Sequence, residues 1–188
     1  VLTSSSSPGI ALKQEGIGYI SNASLPAVII NMMRGGPGLG TIQPGQADYN
    51  MAVKGGSNGD YHDIVLAPAS VQEAVNMVME AFDIADIYGV PVIVLADGLI
   101  GQMMEPVSLD FAVSEPIEKP WAVTGTKCER QHNIINSLFL KPEELERTNF
   151  ERFDRYALIE ENEVMYEEYR MEDAEICVAA FGIAARVS

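Results

Sequence analysis

The chain has 188 residues, with 27 acidic against 12 basic side chains and a formal net charge of −15 at pH 7. This acidic balance argues against nucleic acid as a partner, because a nucleic-acid surface needs a basic patch, and against docking on anionic lipid. The apolar fraction of 47% is typical of a globular protein with a sizeable core. No apolar run approaches the roughly 18 residues of a membrane span, so no membrane contact is expected.

The first predicted elements are a strand, a helix and a second strand. Val1–Thr3 indicates the end of a strand, and Pro8 suits a first helical position with Ser7 as the cap before it. The apolar run Ala27–Met32 follows and reads as a buried parallel strand. A glycine-rich stretch from Met33 to Tyr49 excludes regular structure, so it is predicted to be a long loop at the strand's carboxyl end.

The middle of the chain repeats this alternation. Gln46–Val53 suits a short helix, and Ile64–Ala67 a second buried strand. Ser70 and Glu73 form a capping box before a helical apolar pattern that ends at Gly89. Val90–Leu95 is the third complete strand. The order predicts an α/β fold, a parallel sheet with helices on both faces.

From about Ser108 the character changes to an extended segment and then a charged helical stretch. Thirteen acidic and four basic side chains lie between Glu143 and Glu175, which favours a solvated linker helix over an acidic binding face. Ala174–Phe181 is predicted to be another buried strand, the first of a second α/β domain. Both ends of the chain look cut, so we expect a fragment of a longer polypeptide.

The cysteines and histidines offer no metal site or base. Cys128 and Cys177 lie far apart without CxxC spacing, so no iron–sulfur or zinc ligand set is expected. Two free thiols are typical of a cytoplasmic protein. His62 and His132 are distant in sequence, and each is interpreted as a surface or a hydrogen-bonded histidine and not as a base.

Arg34 is the only arginine before residue 130, and it stands where a strand gives way to the glycine-rich loop. Ligands of open α/β sheets bind at this edge, and an arginine there can hold a carboxylate in a two-pronged pair. The alternative is an ion pair with Asp48 or Asp97, and the residues alone leave the two open. Without the GK[ST] of a P-loop, the loop is a weak phosphate motif. Its glycines are interpreted as allowing backbone to approach a ligand or a facing subunit.

Several motifs in register resemble the alpha subunit of the 2-oxoacid:ferredoxin oxidoreductases, with the 2-oxoglutarate and 2-oxoisovalerate enzymes as the nearest members. The resemblance covers essentially the whole chain. The motifs are TSSSSPG at 3–9, RGGPGLGT at 34–41, QADY at 46–49, APASVQE at 67–73, DGLIGQMMEP at 97–106 and NIINSL at 133–138.

The resemblance implies that residues 1–110 form the pyrimidine-binding domain of a thiamine diphosphate enzyme. Residues 111–173 would be a linker and 174–188 the start of a transketolase C-terminal-like domain. The diphosphate, Mg²⁺ and an iron–sulfur cluster would lie on partner subunits, a beta subunit together with small and ferredoxin-like subunits. The reaction would be coenzyme A-dependent oxidative decarboxylation of a 2-oxo acid to acyl-CoA, carbon dioxide and reduced ferredoxin.

Carried over by position, Ser6, Ser7, Pro8 and Gly9 would line the pyrimidine side of the cofactor, and Arg34 would bind the substrate carboxylate. Gly35 and Gly36 would leave room for substrate and the facing subunit, so a homodimer or an adhesive monomer is expected when the partner is absent. The family's catalytic glutamate lies upstream of Val1, so the chain alone is expected to be inactive. The rivals are a thiamine diphosphate enzyme without ferredoxin and a non-catalytic assembly subunit.

Overall fold

The computed structural model describes residues 1–111 and 114–188. Within those two ranges no helix combines the length and apolar character needed to cross a bilayer. The strands are β1 (Leu2–Ser5), β2 (Ala27–Met33), β3 (Ile64–Leu66) and β4 (Pro91–Asp97). The helices are α1 (Pro8–Asn22), α2 (Tyr49–Val53), α3 (Val71–Tyr88), α4 (Pro142–Asn162) and α5 (Gly182–Val187), with a short 3₁₀ turn at Ile100–Gln102.

The four strands form one parallel sheet in the order β1-β2-β4-β3. Helices cover both faces, which confirms the predicted fold class. One face packs on α1 and α2 through Ile10, Ile17, Ala27, Ile29, Met33, Ala52, Tyr61, Ile93 and Leu95. The other packs on α3 and α4 through Val28, Ile64, Leu66, Ala81, Ile84, Ala85, Val90, Val92, Val94 and Tyr156.

Strands β2 and β4 form the centre of the sheet, because each has a neighbour on both sides. They pair over their whole length, from Ala27 opposite Pro91 to Met33 opposite Asp97. The residues of β4 are buried throughout, as expected of a strand covered on both faces. In this register β2 and β4 end at paired residues, so the residues after Met33 lie beside the turn after Asp97.

Helix α3 begins and ends as predicted. The Ser70 hydroxyl accepts a hydrogen bond from the Glu73 N–H at 3.1 Å, and the Glu73 carboxylate accepts one from the Ala69 N–H at 2.8 Å. This is a capping box whose returning bond reaches one residue further back than usual. Gly89 ends the helix with a φ of 60°, the left-handed conformation that glycine adopts without a Cβ penalty.

The predicted strand over 174–181 is wrong. The structure shows no regular element there, and the side chains of Ile176 and Val178 are 84% and 72% exposed. A strand needs a partner edge, and this segment pairs with neither β1 nor β3 of the described sheet. The short helix predicted over 46–53 also starts later, at Tyr49. That residues 174–188 begin a second domain stays a prediction.

Candidate functional site

The crevice between the carboxyl ends of β2 and β4 is the natural ligand position in this sheet. The chain leaving β2 goes to α2 on one face. The chain leaving β4 goes to the other face, where Ser114 and Lys119 bond Asp83 and Asp86 of α3. Two neighbouring strands whose continuations diverge in this way open a crevice at their carboxyl ends. Arg34 follows β2 there, and the Ser6–Ser7 turn follows β1 at the same edge.

The turn after β1 contains two buried hydroxyls without a partner. Neither Ser6 Oγ nor Ser7 Oγ has a hydrogen-bond partner among the described residues. Ser7 occupies the N-cap position of α1, but its hydroxyl makes no capping bond, so the predicted side-chain cap is wrong. Its φ of 47° and ψ of −117° lie in a region that a non-glycine residue rarely adopts. Backbone strain of this kind is concentrated at functional sites, and here it lies in the turn that contains both hydroxyls.

Pro8 and Gly9 are explained by the turn itself. Pro8 opens α1 at its first position, where a missing N–H costs nothing. A Cβ at Gly9 would lie 2.0 Å from Ser5 Oγ, so any larger residue would force the Ser5 side chain at the end of β1 to move. The Gly9 N–H donates to the Ser6 carbonyl at 3.0 Å. Both residues shape the position of the two serines, and a contact of their own with a ligand stays a prediction.

Arg34 is half-buried, and most of the N–H donors of its guanidinium make no hydrogen bond within the described residues. Its Nη1 donates to the Thr41 carbonyl at 3.4 Å, and its Nε is buried without a partner. In the described part of the chain no carboxylate lies within 4.0 Å of the guanidinium. Asp48 instead accepts from Asn31, and Asp97 accepts from backbone N–H groups. The ion-pair alternative for Arg34 is therefore wrong, and a guanidinium able to bind an anion remains.

Most glycines of the loop after Arg34 let the loop fold on itself. The Thr41 N–H donates to the Gly35 carbonyl at 2.9 Å, and a Cβ at Gly40 would lie 1.9 Å from that same carbonyl oxygen. A Cβ at Gly45 would lie 3.2 Å from the carbonyl carbon of Arg34. That these glycines also admit a ligand or a facing subunit stays a prediction. Gly36 and Gly38 have more room, since a Cβ at Gly36 would meet nothing closer than 3.9 Å and one at Gly38 would meet nothing within 4 Å.

Asn31 belongs to this site and was missed from the sequence. It lies inside β2 with 1% of its surface exposed, in register with Ser5 of β1. Its Nδ2 donates to Asp48 Oδ2 at 3.2 Å, while its Oδ1 is buried without a partner. The available signal was a single amide in a seven-residue strand that is otherwise apolar. The Asn31 amide oxygen is a buried acceptor without a hydrogen-bond partner, like the two serine hydroxyls and Arg34 Nε. For all of them a bound ligand could supply the missing partner.

Asp97 ends β4 and organises the turn beside Arg34. Its side chain is 1% exposed, and its Oδ1 accepts hydrogen bonds from the N–H groups of Leu99 and Ile100, both at 3.1 Å. The Gly98 N–H donates to the Met33 carbonyl at 2.9 Å. This bond ties the turn after β4 to the residue before Arg34. The sequence placed Asp97 at this edge without indicating that role.

The chemistry of the crevice suits an organic ligand that has hydrogen-bonding groups and a negative charge. Serine hydroxyls donate and accept, the Asn31 oxygen accepts, and the Arg34 guanidinium only donates. Among residues 1–111 and 114–188 no group of three or more His, Cys, Asp or Glu side chains could hold a metal ion. His62 lies before β3 at the opposite edge, stacked on Tyr156, so it takes no part.

Comparison with known proteins identifies what this arrangement resembles. Residues 1–173 match the family model described as pyruvate flavodoxin/ferredoxin oxidoreductase, thiamine diphosphate-binding. The whole chain is 53% identical to the ketoisovalerate oxidoreductase subunit VorB of Methanothermobacter marburgensis, of which it covers 53%. The chain therefore spans about half the length of this relative.

A second curated relative and a solved structure agree with this match. The 2-oxoglutarate synthase subunit KorA of Archaeoglobus fulgidus is 47% identical over 109 residues, which are 57% of this chain and 31% of that protein. The solved structure is a 2-oxoglutarate:ferredoxin oxidoreductase from Magnetococcus marinus with 2-oxoglutarate, coenzyme A and succinyl-CoA bound. It superposes with a TM-score of 0.70 at 23% identity, covering 89% of this chain and 33% of that one. At this identity the superposition supports the fold alone.

Proposed function

The chain belongs to the pyruvate flavodoxin/ferredoxin oxidoreductase family of thiamine diphosphate-binding domains, and on that premise we propose that it serves a 2-oxoacid:ferredoxin oxidoreductase. In this proposal it forms the pyrimidine side of the thiamine diphosphate site and binds the carboxylate of a 2-oxo acid. The observation that carries the proposal is the set of buried, unpartnered polar atoms at one sheet edge. These atoms are Ser6 Oγ, Ser7 Oγ, Asn31 Oδ1 and Arg34 Nε.

The residues fit the cofactor, because the unpartnered atoms complement a polar aromatic ring. The aminopyrimidine carries ring-nitrogen acceptors and an amine donor, and serine hydroxyls can serve either kind of group. A buried hydroxyl without a partner costs free energy, on the order of 1–3 kcal/mol, that a ligand recovers when it binds. Ser6 and Ser7 would hold the ring edge. Pro8 and Gly9 would fix the turn that presents the two hydroxyls.

Arg34 would bind the substrate's carboxylate. When bound, thiamine diphosphate supplies the carbon nucleophile and the electron sink that decarboxylation of a 2-oxo acid requires. The protein's share is to hold the carboxylate in one orientation until it leaves as carbon dioxide. A guanidinium does so with two parallel N–H donors. Gly35 and Gly36 beside Arg34 would leave room for the rest of the substrate.

We favour a branched-chain 2-oxo acid over 2-oxoglutarate. A second carboxylate on the substrate favours a site with a second free cation. In the described ranges two other cations already have partners, since Lys13 donates to Thr3 and to the Ser4 carbonyl and Arg186 pairs with Glu105. The whole-length similarity to a ketoisovalerate oxidoreductase subunit supports the same choice.

The remaining parts of the reaction would lie on other subunits. We propose that a beta subunit holds the diphosphate, Mg²⁺ and an iron–sulfur cluster, and that small and ferredoxin-like subunits complete the complex. Cys128 and Cys177 are both exposed free thiols. Coenzyme A would accept the acyl group.

The experiment that tests this function uses the intact subunit assembled with its partner subunits and loaded with thiamine diphosphate, Mg²⁺ and coenzyme A. Viologen reduction is followed with 2-oxoisovalerate, 2-oxoglutarate, pyruvate and an aryl pyruvate in turn. We expect the highest kcat/KM with 2-oxoisovalerate. Preference for 2-oxoglutarate would overturn the substrate assignment and keep the class.

Two other outcomes decide between the rivals. Decarboxylation without viologen reduction would indicate a thiamine diphosphate enzyme that does not serve ferredoxin. No turnover with any 2-oxo acid, from a complex shown to hold its cofactors, would overturn the oxidoreductase assignment in favour of an assembly subunit.

A further inference from the structure

The last eight residues of the chain return to the crevice, and nothing in the proposed function accounts for them. Phe181 stacks on Tyr49 of α2 with ring centroids 5.6 Å apart and planes inclined by 29°. Gln46 Nε2 donates to the Phe181 carbonyl at 2.8 Å. We call residues 181–187 the returning segment. Its first residues lie against the loop that leaves β2.

Asp97 holds the next two residues of the returning segment. Its Oδ2 accepts a hydrogen bond from the Ile183 N–H at 2.7 Å. Gly182 has a φ of 60°, and a Cβ there would lie 2.7 Å from Asp97 Oδ2 and 2.8 Å from Gln46 Nε2. Only glycine therefore allows this close approach. Further along, Arg186 pairs with Glu105, whose carboxylate also accepts from the Val71 N–H.

One carboxylate thus joins two parts of the molecule. Oδ1 of Asp97 holds the turn at Leu99 and Ile100, and Oδ2 holds the returning segment at Ile183. Backbone N–H groups are its partners, and no cationic side chain of the described ranges pairs with it. Since it is 1% exposed, these three bonds fix its position.

We propose that Asp97 is a positioning residue that couples the returning segment to Arg34. The link runs from Ile183 through the Asp97 carboxylate to the turn at 98–100. From there it passes through the Gly98 N–H to the Met33 carbonyl, the last group before Arg34. With the segment docked, the exit of β2 is held and the guanidinium is aimed at the crevice. Its effect on substrate binding rests on the proposed function of Arg34.

The test displaces the returning segment without touching β2 or β4. Gly182→Ala in the assembled enzyme places a methyl group against Asp97 Oδ2. Gly59→Ala is the matched control, because Gly59 also has a positive φ, 93°, but a Cβ there would meet nothing within 4 Å. For Gly182→Ala we expect the KM for the 2-oxo acid to rise about tenfold, a typical coupling between sites, with kcat nearly unchanged. The control should leave both constants alone.

Hydrogen exchange gives a reading that needs no turnover. Gly182→Ala should speed exchange of the amides of Leu99, Ile100 and Gly35, while the control should not. Asp97→Asn, which keeps the shape but replaces one acceptor with a donor, should show the same pattern. Adding Gly182→Ala to Asp97→Asn should then change KM little further.

Unchanged exchange at the turn and at Gly35 in Gly182→Ala would overturn the coupling. Faster exchange with an unchanged KM would overturn the positioning role, provided that Arg34→Ala itself raises KM. If Arg34→Ala leaves KM unchanged, the proposed function of Arg34 fails instead, and the exchange data still decide whether Asp97 couples the two parts.

Discussion

Both edges of the sheet contain buried polar groups without hydrogen-bond partners, but the energetic cost of these groups is lowered in different ways at the two edges. At the carboxyl edge the groups are Ser6, Ser7, Asn31 and Arg34, and at the amino edge Ser21, Asp63 and Arg152. Asp63 can neutralise itself, because burial raises the pKa of its carboxyl from 3.8 to about 8. An arginine or a serine cannot be neutralised in this way.

The amino edge is otherwise joined by bonds within the chain. Helix α4 crosses it, where Arg152 donates to Asn22 and Arg155 donates to the Gly89 carbonyl at 3.4 Å. The Tyr156 hydroxyl accepts from the His62 N–H at 3.0 Å. Since the chain supplies these partners itself, we interpret the amino edge as structural. At the carboxyl edge Ser6 Oγ, Ser7 Oγ, Asn31 Oδ1 and Arg34 Nε have no partner among the described residues, and we propose that a ligand satisfies them.

The largest effect is expected at Asp63. Its folded-state pKa of about 8 lies above the unfolded value of 3.8, so between these values the folded state holds a proton that the unfolded state has released. Raising the pH through this window therefore favours unfolding, and stability is lowest above about pH 8. Asp63→Asn should remove this loss, which we expect to be on the order of 3 kcal/mol between pH 5 and pH 9.

Urea unfolding at the two pH values measures this difference. Asp60→Asn is the control, because Asp60 lies three residues earlier and is exposed. If the free energy of unfolding changed equally with pH in the parent chain and in Asp63→Asn, the Asp63 carboxyl would be ionised and solvated in the folded state. The interpretation that the two edges of the sheet treat their buried polar groups differently would then fail.

Local signals made part of the fold predictable. Ser70, Glu73 and Gly89 determine the ends of α3 within a few residues of sequence, and the apolar runs of β2 and β4 are long enough to identify. The run from 174 to 181 has the same composition as a buried strand. Whether these residues form a strand depends on whether the edge of another strand lies beside them. The sequence of the run alone does not determine this.

The site was predictable only where its residues follow a strand. Ser6, Ser7 and Arg34 directly follow β1 and β2, so parallel strands place them at one edge. Asn31 was hidden by its apolar neighbours. The hydrogen bond between Asp97 and Ile183 joins residues that are 86 positions apart in the sequence. A local sequence pattern cannot predict a contact between residues so far apart.

The next effect in size concerns Arg34. Arg34→Ala in the assembled enzyme should lower kcat/KM by about thirtyfold, on the order of 2 kcal/mol for a hydrogen-bonded charged pair. The free energy of unfolding should hardly change, because the side chain makes one long bond to the chain. Arg147→Ala is the control, since that exposed arginine pairs only with Glu151. Equal kinetics in the two variants would remove Arg34 from the site.

Tyr156→Phe tests whether the hydrogen bonds of the amino edge contribute to stability and not to substrate binding. The ring stays in the core, but the His62 N–H loses the acceptor of a part-buried hydrogen bond. We expect a loss of about 1.5 kcal/mol in the free energy of unfolding, measured in urea, with KM for the 2-oxo acid unchanged. A rise in KM would show that the two edges are coupled and that their roles are not separate.

The smallest effect separates strain from binding at the carboxyl edge. Ser7 and Ser24 both have positive φ, 47° and 53°, but Ser24 lies in the turn before β2 at the amino edge. Replacing either with glycine relieves the backbone, so we expect each variant to gain up to about 1 kcal/mol in thermal or urea unfolding. Only Ser7→Gly should weaken thiamine diphosphate binding, about fivefold for one neutral hydrogen bond, as measured by calorimetry on the assembled apoenzyme. A stabilised Ser7→Gly variant with unchanged cofactor affinity would mean that the strained turn serves packing. A variant that gains stability while losing affinity would show that the chain keeps the strain because the hydroxyl has a ligand to hold.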